Sequence, residues 1–189
     1  MRSLAVVLWL MLLSTGQAVA QGAYYDLTIK VDPTKASKSP WDGVPGLGTG
    51  RPNLNASPDI AVCVVRAEGR PHCLWRPEGR RLFSNCQNAL NCKFDSISLA
   101  PLPVGLLFID IDARLHDLID MVILSGNATT TGEADIERAL GGALATLTPG
   151  LSEAAKARGL GKAKVLPLQE CVTAACRLTQ SEFRLTPRY

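Results

Sequence analysis

Residues 105–124 read GLLFIDIDARLHDLIDMVIL. The segment from Leu106 to Ile111 is almost wholly apolar, which suits a strand buried on at least one face. Side chains alternate along a strand, so Asp110 and Asp112 project from the same face, where the apolar run stops. Asp117 follows a short loop, ARLH, and the chain re-enters an apolar run. Three carboxylates at one sheet corner repel one another unless a cation sits between them. Calcium takes about six to eight oxygen ligands and accepts clustered aspartates readily. Solvated turn residues are the plainer reading of the same aspartates, and this stretch alone leaves both open. It is not an EF-hand: counted from Asp110, Leu115 stands where that loop needs glycine and Met121 where it needs glutamate.

The chain has 189 residues and opens with the features of a cleaved signal. Arg2 is the charged n-region, AVVLWLMLL the apolar core, and Ala18-Val19-Ala20 the small-residue cleavage site. The expectation is a signal peptide over 1–20 and one domain over 21–189, secreted or periplasmic, with no transmembrane segment in the mature chain. The net charge of +3 includes Arg2 and shows no concentrated basic stripe, so nucleic acid is not an expected partner. All six cysteines, Cys63, Cys73, Cys86, Cys92, Cys171 and Cys176, follow the cleavage site. An even number in an exported chain argues for disulfides, whose connectivity the sequence leaves open. Local pairing is expected: Cys63–Cys73, Cys86–Cys92 and Cys171–Cys176. No CxxC pair is present to favour a metal instead.

YDLTIKV (25–31) alternates and reads as a first strand. Residues 33–58 are rich in Gly, Pro, Ser, Asn and Lys and form a long loop holding Trp41 and Asp42. IAVCVVR (60–66) is strongly β-forming, and AEGR turns the chain back towards Trp75, setting Cys63 opposite Cys73. WRPEGRRLFS (75–84) is expected as a basic loop. KFDSISL (93–99) reads as a strand with Phe94, Ser96 and Ser98 on one face and Asp95, Ile97 and Leu99 on the other. After the polar loop GNATTTG the period changes: Ile136, Leu140, Leu144 and Leu147 recur at helical spacing behind Glu133 and Asp135. Pro149-Gly150 ends that helix, and 151–158 is expected as a short second one. Residues 163–168, the Cys171/Cys176 segment and 182–186 are expected as closing strands. The fold class is mainly β, an antiparallel sandwich with a late helical insertion over 124–165.

The order of these pieces resembles the C2 domain, the calcium- and phospholipid-binding β-sandwich. In that family a strand leads to a loop with one Asp, an S-D-P-Y-V-like entry into the next strand carries a second, and a later strand ends D-x-D before a third acidic position. Ser57-Pro58-Asp59-Ile60-Ala61-Val62 resembles the entry, with Pro and Asp reversed, and Asp110-Ile111-Asp112 with His116-Asp117-Leu118-Ile119 resembles the later motif. The resemblance spans about residues 24–124. It implies a calcium site of Asp42, Asp59, Asp110, Asp112 and Asp117. Sequence-distant loops at one end of a sandwich converge, which makes such a set physically reasonable. The chain departs from the pattern in a long loop between Asp42 and Asp59, a short one between Asp112 and Asp117, and Asp120 where the family has glycine.

The resemblance implies a non-catalytic module attaching, with calcium, to an anionic membrane surface or a protein partner. Trp41 at a loop tip and Arg80 and Arg81 in the basic loop are the candidate contacts. The plainer readings are a Trp packed over the end of the fold and a solvated basic loop. A calcium-independent structural or protein-interaction sandwich is the alternative. An extracytoplasmic hydrolase using His116 is a second, although no nucleophile elbow, zinc helix or phosphate-binding loop is present.

Overall fold

The computed structural model describes residues 24–32, 58–74, 76–78, 81–83, 86, 89–111, 116–126, 132–147 and 163–189. Strand β1 (Tyr24–Val31) alternates as its sequence demands. Leu27, Ile29 and Val31 are buried, whereas Thr28 and Lys30 are exposed. It lies between β6 (Asn91–Ser98) and β11 (Ser181–Arg188), and β10 (Cys176–Arg177) completes a four-stranded sheet ordered β10-β11-β1-β6. The second sheet runs β3-β2-β7-β8-β9. Its members are β2 (Ile60–Val65), β3 (His72–Leu74), β7 (Val104–Asp110), β8 (Asp117–Ser125) and β9 (Lys164–Pro167).

Strands β2 and β7 are buried at every position. Both faces of the second sheet must therefore be covered, which is the demand that continuous apolar strands make. One face meets the first sheet. Val62, Leu106, Phe108, Ile119 and Val122 pack there against Leu27, Ile29, Phe94 and Leu185, and the Phe108 and Phe183 rings lie 5.6 Å apart. The other face meets helix α1 (Glu133–Leu147). Cys63, Leu107, Ile109, Leu118 and Ile123 form a second core with Ile136, Leu140, Ala143 and Leu144 of the helix. The helical period read from the sequence is thus the helix's sheet-facing stripe. Gly132 (φ 114°) opens it, its carbonyl accepting from the Asp135 and Ile136 amides, with Glu133 and Asp135 in the positive first turn.

Several expectations are revised. The antiparallel pattern is broken once: β9 pairs parallel to β8. A parallel neighbour needs a crossover, and α1 lies in that crossover. The Cys171/Cys176 segment is not a strand throughout; helix α2 (Leu168–Thr173) precedes β10. The stretch expected as a basic loop contains a hairpin, β4 (Arg76–Glu78) against β5 (Arg81–Phe83). On β6 the simple alternation fails. Phe94, Ile97 and Leu99 are all buried, because the pairing with β1 slips by one residue near Ser96, which adopts φ 62°. A bulge of this kind inserts one residue and resets which face the next side chains point to. The expected second helix over 151–158, the signal segment 1–20 and the 33–57 loop lie outside the described residues.

All three expected disulfides are present. Cys63 and Cys73 are register partners across the β2–β3 hairpin. Cys86–Cys92 ties the approach to β6, and Cys171–Cys176 joins α2 to β10. Three such bonds fit an oxidising or extracellular location.

Two glycines test this packing from opposite sides. A methyl on Gly105 would stand 2.9 Å from the Leu140 side chain, so Gly105→Ala is expected to lower stability by about 1–3 kcal/mol through overpacking. Gly141 sits on the exposed side of α1 with nothing within 4 Å of such a methyl. Gly141→Ala should raise stability by about 0.5–1 kcal/mol by removing the glycine entropy cost. Urea unfolding midpoints of the two variants check both signs.

Candidate functional site

One end of the second sheet collects the acidic residues, and strand register explains why. Ile60 at the start of β2 is paired with Asp110 at the end of β7, and Asp110 is paired with Asp117 at the start of β8. Asp59 directly precedes Ile60. Asp59 and Asp110, 51 residues apart, and Asp117 therefore stand at neighbouring backbone positions at one end of the second sheet. Asp110 is 0% exposed, and its Oδ1 accepts the Asp59 backbone N–H at 2.6 Å. The Ile111 N–H donates to the Asp59 carbonyl at 2.9 Å, which closes the junction from the other direction. The Ile60 N–H bonds to the Cys86 carbonyl and the Ala89 N–H to the Pro58 carbonyl, both at 3.1 Å. The chain on either side of Asp59 is thereby anchored, while Asp59 itself is half-buried.

The strand register thus places Asp59, Asp110 and Asp117, of the five expected ligands, at one sheet end. Asp42 and Asp112 lie outside the described residues, as do Trp41 and Arg80. Arg81 is in β5, with Glu78 its register partner. Among the described residues no set of three acidic, histidine or cysteine side chains is gathered tightly enough to hold a metal. The donors present are carboxylates, the oxygen chemistry that suits a hard cation such as calcium. His116, beside Asp117, is half-buried, and that desolvation pushes its pKa below the ordinary histidine value.

Asp120, where the C2 pattern has glycine, is a buried anchor between the two sheets. It is 2% exposed. Its carboxylate accepts the Thr179 N–H at 3.2 Å, the Gln180 N–H at 2.9 Å and the Ser181 hydroxyl at 2.7 Å. Gln180 returns the contact, its Nε2 donating to the Ile119 carbonyl at 2.8 Å. Four hydrogen bonds thus clamp the start of β8 to the turn before β11. Sequence reasoning missed Gln180 and Ser181 entirely. The available signal was Asp120 itself, a charge inside an apolar strand, which is tolerated only with partners.

Comparison with family models, with curated proteins and with solved structures found no match. Among the described residues no helix is long and apolar enough to cross a membrane.

Burial raises the Asp120 pKa above 3.8, against the lowering effect of the Ser181, Gln180 and Thr179 hydrogen bonds. A carboxyl that holds its proton more tightly folded than unfolded makes stability fall as pH rises through the window between the two values. Wild type should show that decline as pH rises from the ordinary aspartate value upward. Asp120→Asn sets an amide N–H against backbone donors and should cost about 1–3 kcal/mol, while abolishing this part of the pH dependence. Urea midpoints measured across pH 3 to 7 (roughly the carboxylate range) for both proteins decide it.

Proposed function

We propose that this chain is a C2-like calcium-binding module that attaches, when loaded, to an anionic membrane surface or a protein partner, without catalysis. The supporting observation is the β2-β7-β8 register, with Ile60 opposite Asp110 and Asp110 opposite Asp117. It gathers at one sheet end three of the residues that the resemblance implies as ligands. Asp59, Asp110 and Asp117 would hold the ion, joined by Asp42 and Asp112 from the flanking loops. Bound calcium would supply positive charge to an end that is otherwise acidic, together with open positions for a phosphate or carboxylate oxygen. The chain's own contribution is to hold the Asp59 backbone and the Asp110 carboxylate in place by hydrogen bonds, which lowers the ordering cost of binding.

One observation favours a second reading. The Asp110 carboxylate is fully buried and bonded to the Asp59 amide, a role it can play as an architectural clasp in a calcium-independent interaction module.

Calcium added to the calcium-stripped protein is expected to release heat and raise the thermal midpoint by several degrees, since a ligand at about 100 Kd adds roughly 2.7 kcal/mol. Asp117→Asn should remove most of both effects. Absence of heat and of any midpoint shift in wild type would sink the calcium reading and leave the calcium-independent module.

A further inference from the structure

We propose that the cleft between the end of β1 and the β10–β11 turn is an oxyanion site in which Lys30 and Arg177 grip a phosphate group. The cleft encloses about 440 Å³ and is lined by Lys30, Asp32, Arg177, Leu178, Ser181 and Glu182, among others. Its walls are firmly held. The Asp32 N–H donates to the Gln180 carbonyl at 2.8 Å, and the Leu178 N–H to the Ser181 carbonyl at 2.8 Å. Asp120 supports the same turn through Gln180 and Ser181. The site therefore exists before any ligand arrives, which reduces the ordering cost of binding.

The charges in the cleft are arranged around Glu182. It is the register partner of Lys30 on β1 and of Arg177 on β10, so the three side chains share one face. Lys30 Nζ lies 3.9 Å from one carboxylate oxygen and Arg177 Nε 4.0 Å from the other. Both separations exceed hydrogen-bond length, and neither cationic group donates a hydrogen bond to another described residue. Glu182 offsets part of their charge without accepting a hydrogen bond from either. Two more cations stand close by. Lys164 Nζ donates to the Arg177 carbonyl at 2.9 Å, and Arg184 is exposed one step along the same face of β11. The cleft lining itself is neutral, Lys30 and Arg177 against Asp32 and Glu182, and Lys164 and Arg184 beside it add positive charge. A phosphate offers tetrahedral oxygens that accept from an ammonium and a guanidinium together, at the short charge-assisted distances Glu182 does not reach. Glu182 then acts as the built-in competitor of the ligand, and this distinguishes the site from a merely basic surface.

The test uses the full chain with a chelator present, which makes it independent of the calcium reading. Titration with inorganic phosphate at low ionic strength should give saturable heat. Lys30→Gln and Arg177→Gln should each weaken binding by about tenfold or more, the loss of one charge-assisted hydrogen bond. Glu182→Gln should tighten it severalfold. The three side chains are 62%, 86% and 38% exposed, so unchanged thermal midpoints are expected and confirm that the variants fold. In parallel, sedimentation with phosphatidylglycerol vesicles and with phosphatidylcholine vesicles identifies the source. Phosphate heat without vesicle binding assigns a soluble phosphate compound, and phosphatidylglycerol binding that is lost in Arg177→Gln assigns a lipid headgroup. The proposal is overturned if neither probe binds in an Arg177-dependent way, or if Glu182→Gln binds no more tightly than wild type.

Discussion

The structure depends on a sheet that is apolar on both faces. Every side chain of β2 and β7 is buried, and each large aliphatic side chain left in water would forfeit about 1.5–3 kcal/mol. One covering layer is insufficient. The first sheet closes one face and α1 the other, giving two separate apolar cores that share the central strands. The parallel β8–β9 pair follows from this, because the chain crosses the second sheet by way of α1 before it returns. Gly105 marks how close that approach is, directly beneath Leu140.

Two buried aspartates are used in contrasting ways within this frame. Asp110 lies at the end of β7, where its carboxylate clasps the Asp59 amide and keeps the entry to β2 beside the exit from β7. Asp120 lies within β8 and reaches across to the other sheet, where Thr179, Gln180 and Ser181 donate to it. Burying a carboxylate is costly, and hydrogen bonds to the charged form are what offset that cost. Both aspartates register sequence-distant segments that hydrophobic contact alone, being non-directional, would position only loosely. The acidic end and the Lys30–Arg177 cleft both inherit their geometry from these clasps.

Much of the fold was legible in local pattern. The alternation of YDLTIKV, the β-branched run at 60–65 and the spacing of Ile136, Leu140 and Leu144 each report a burial period, and burial period is a property of neighbouring residues. The three disulfides were legible for a related reason: their partners are 10, 6 and 5 residues apart. The exceptions have separate causes. The bulge at Ser96 moved Ile97 and Leu99 to the inner face, and only the neighbouring β1 strand reveals the extra residue. Residues 168–173 form a helix within a stretch expected as strand, too short for its period to register.

The sequence by itself determined the strands β1, β2 and β7, the apolar stripe of α1 and six cysteines spaced for local disulfides, and it singled out Asp59, Asp110 and Asp117. These follow from side-chain chemistry and from spacings of a few residues. Tertiary structure alone decided that Asp59 and Asp110 touch, 51 residues apart. It also decided that Asp120, the apparent departure from the C2 pattern, is an anchor 60 residues from its Gln180 partner. Lys30 and Arg177 flank Glu182 for the same reason. These relations are matters of strand order and register, set by how two cores close at once around the central strands, and no local window of the chain contains them.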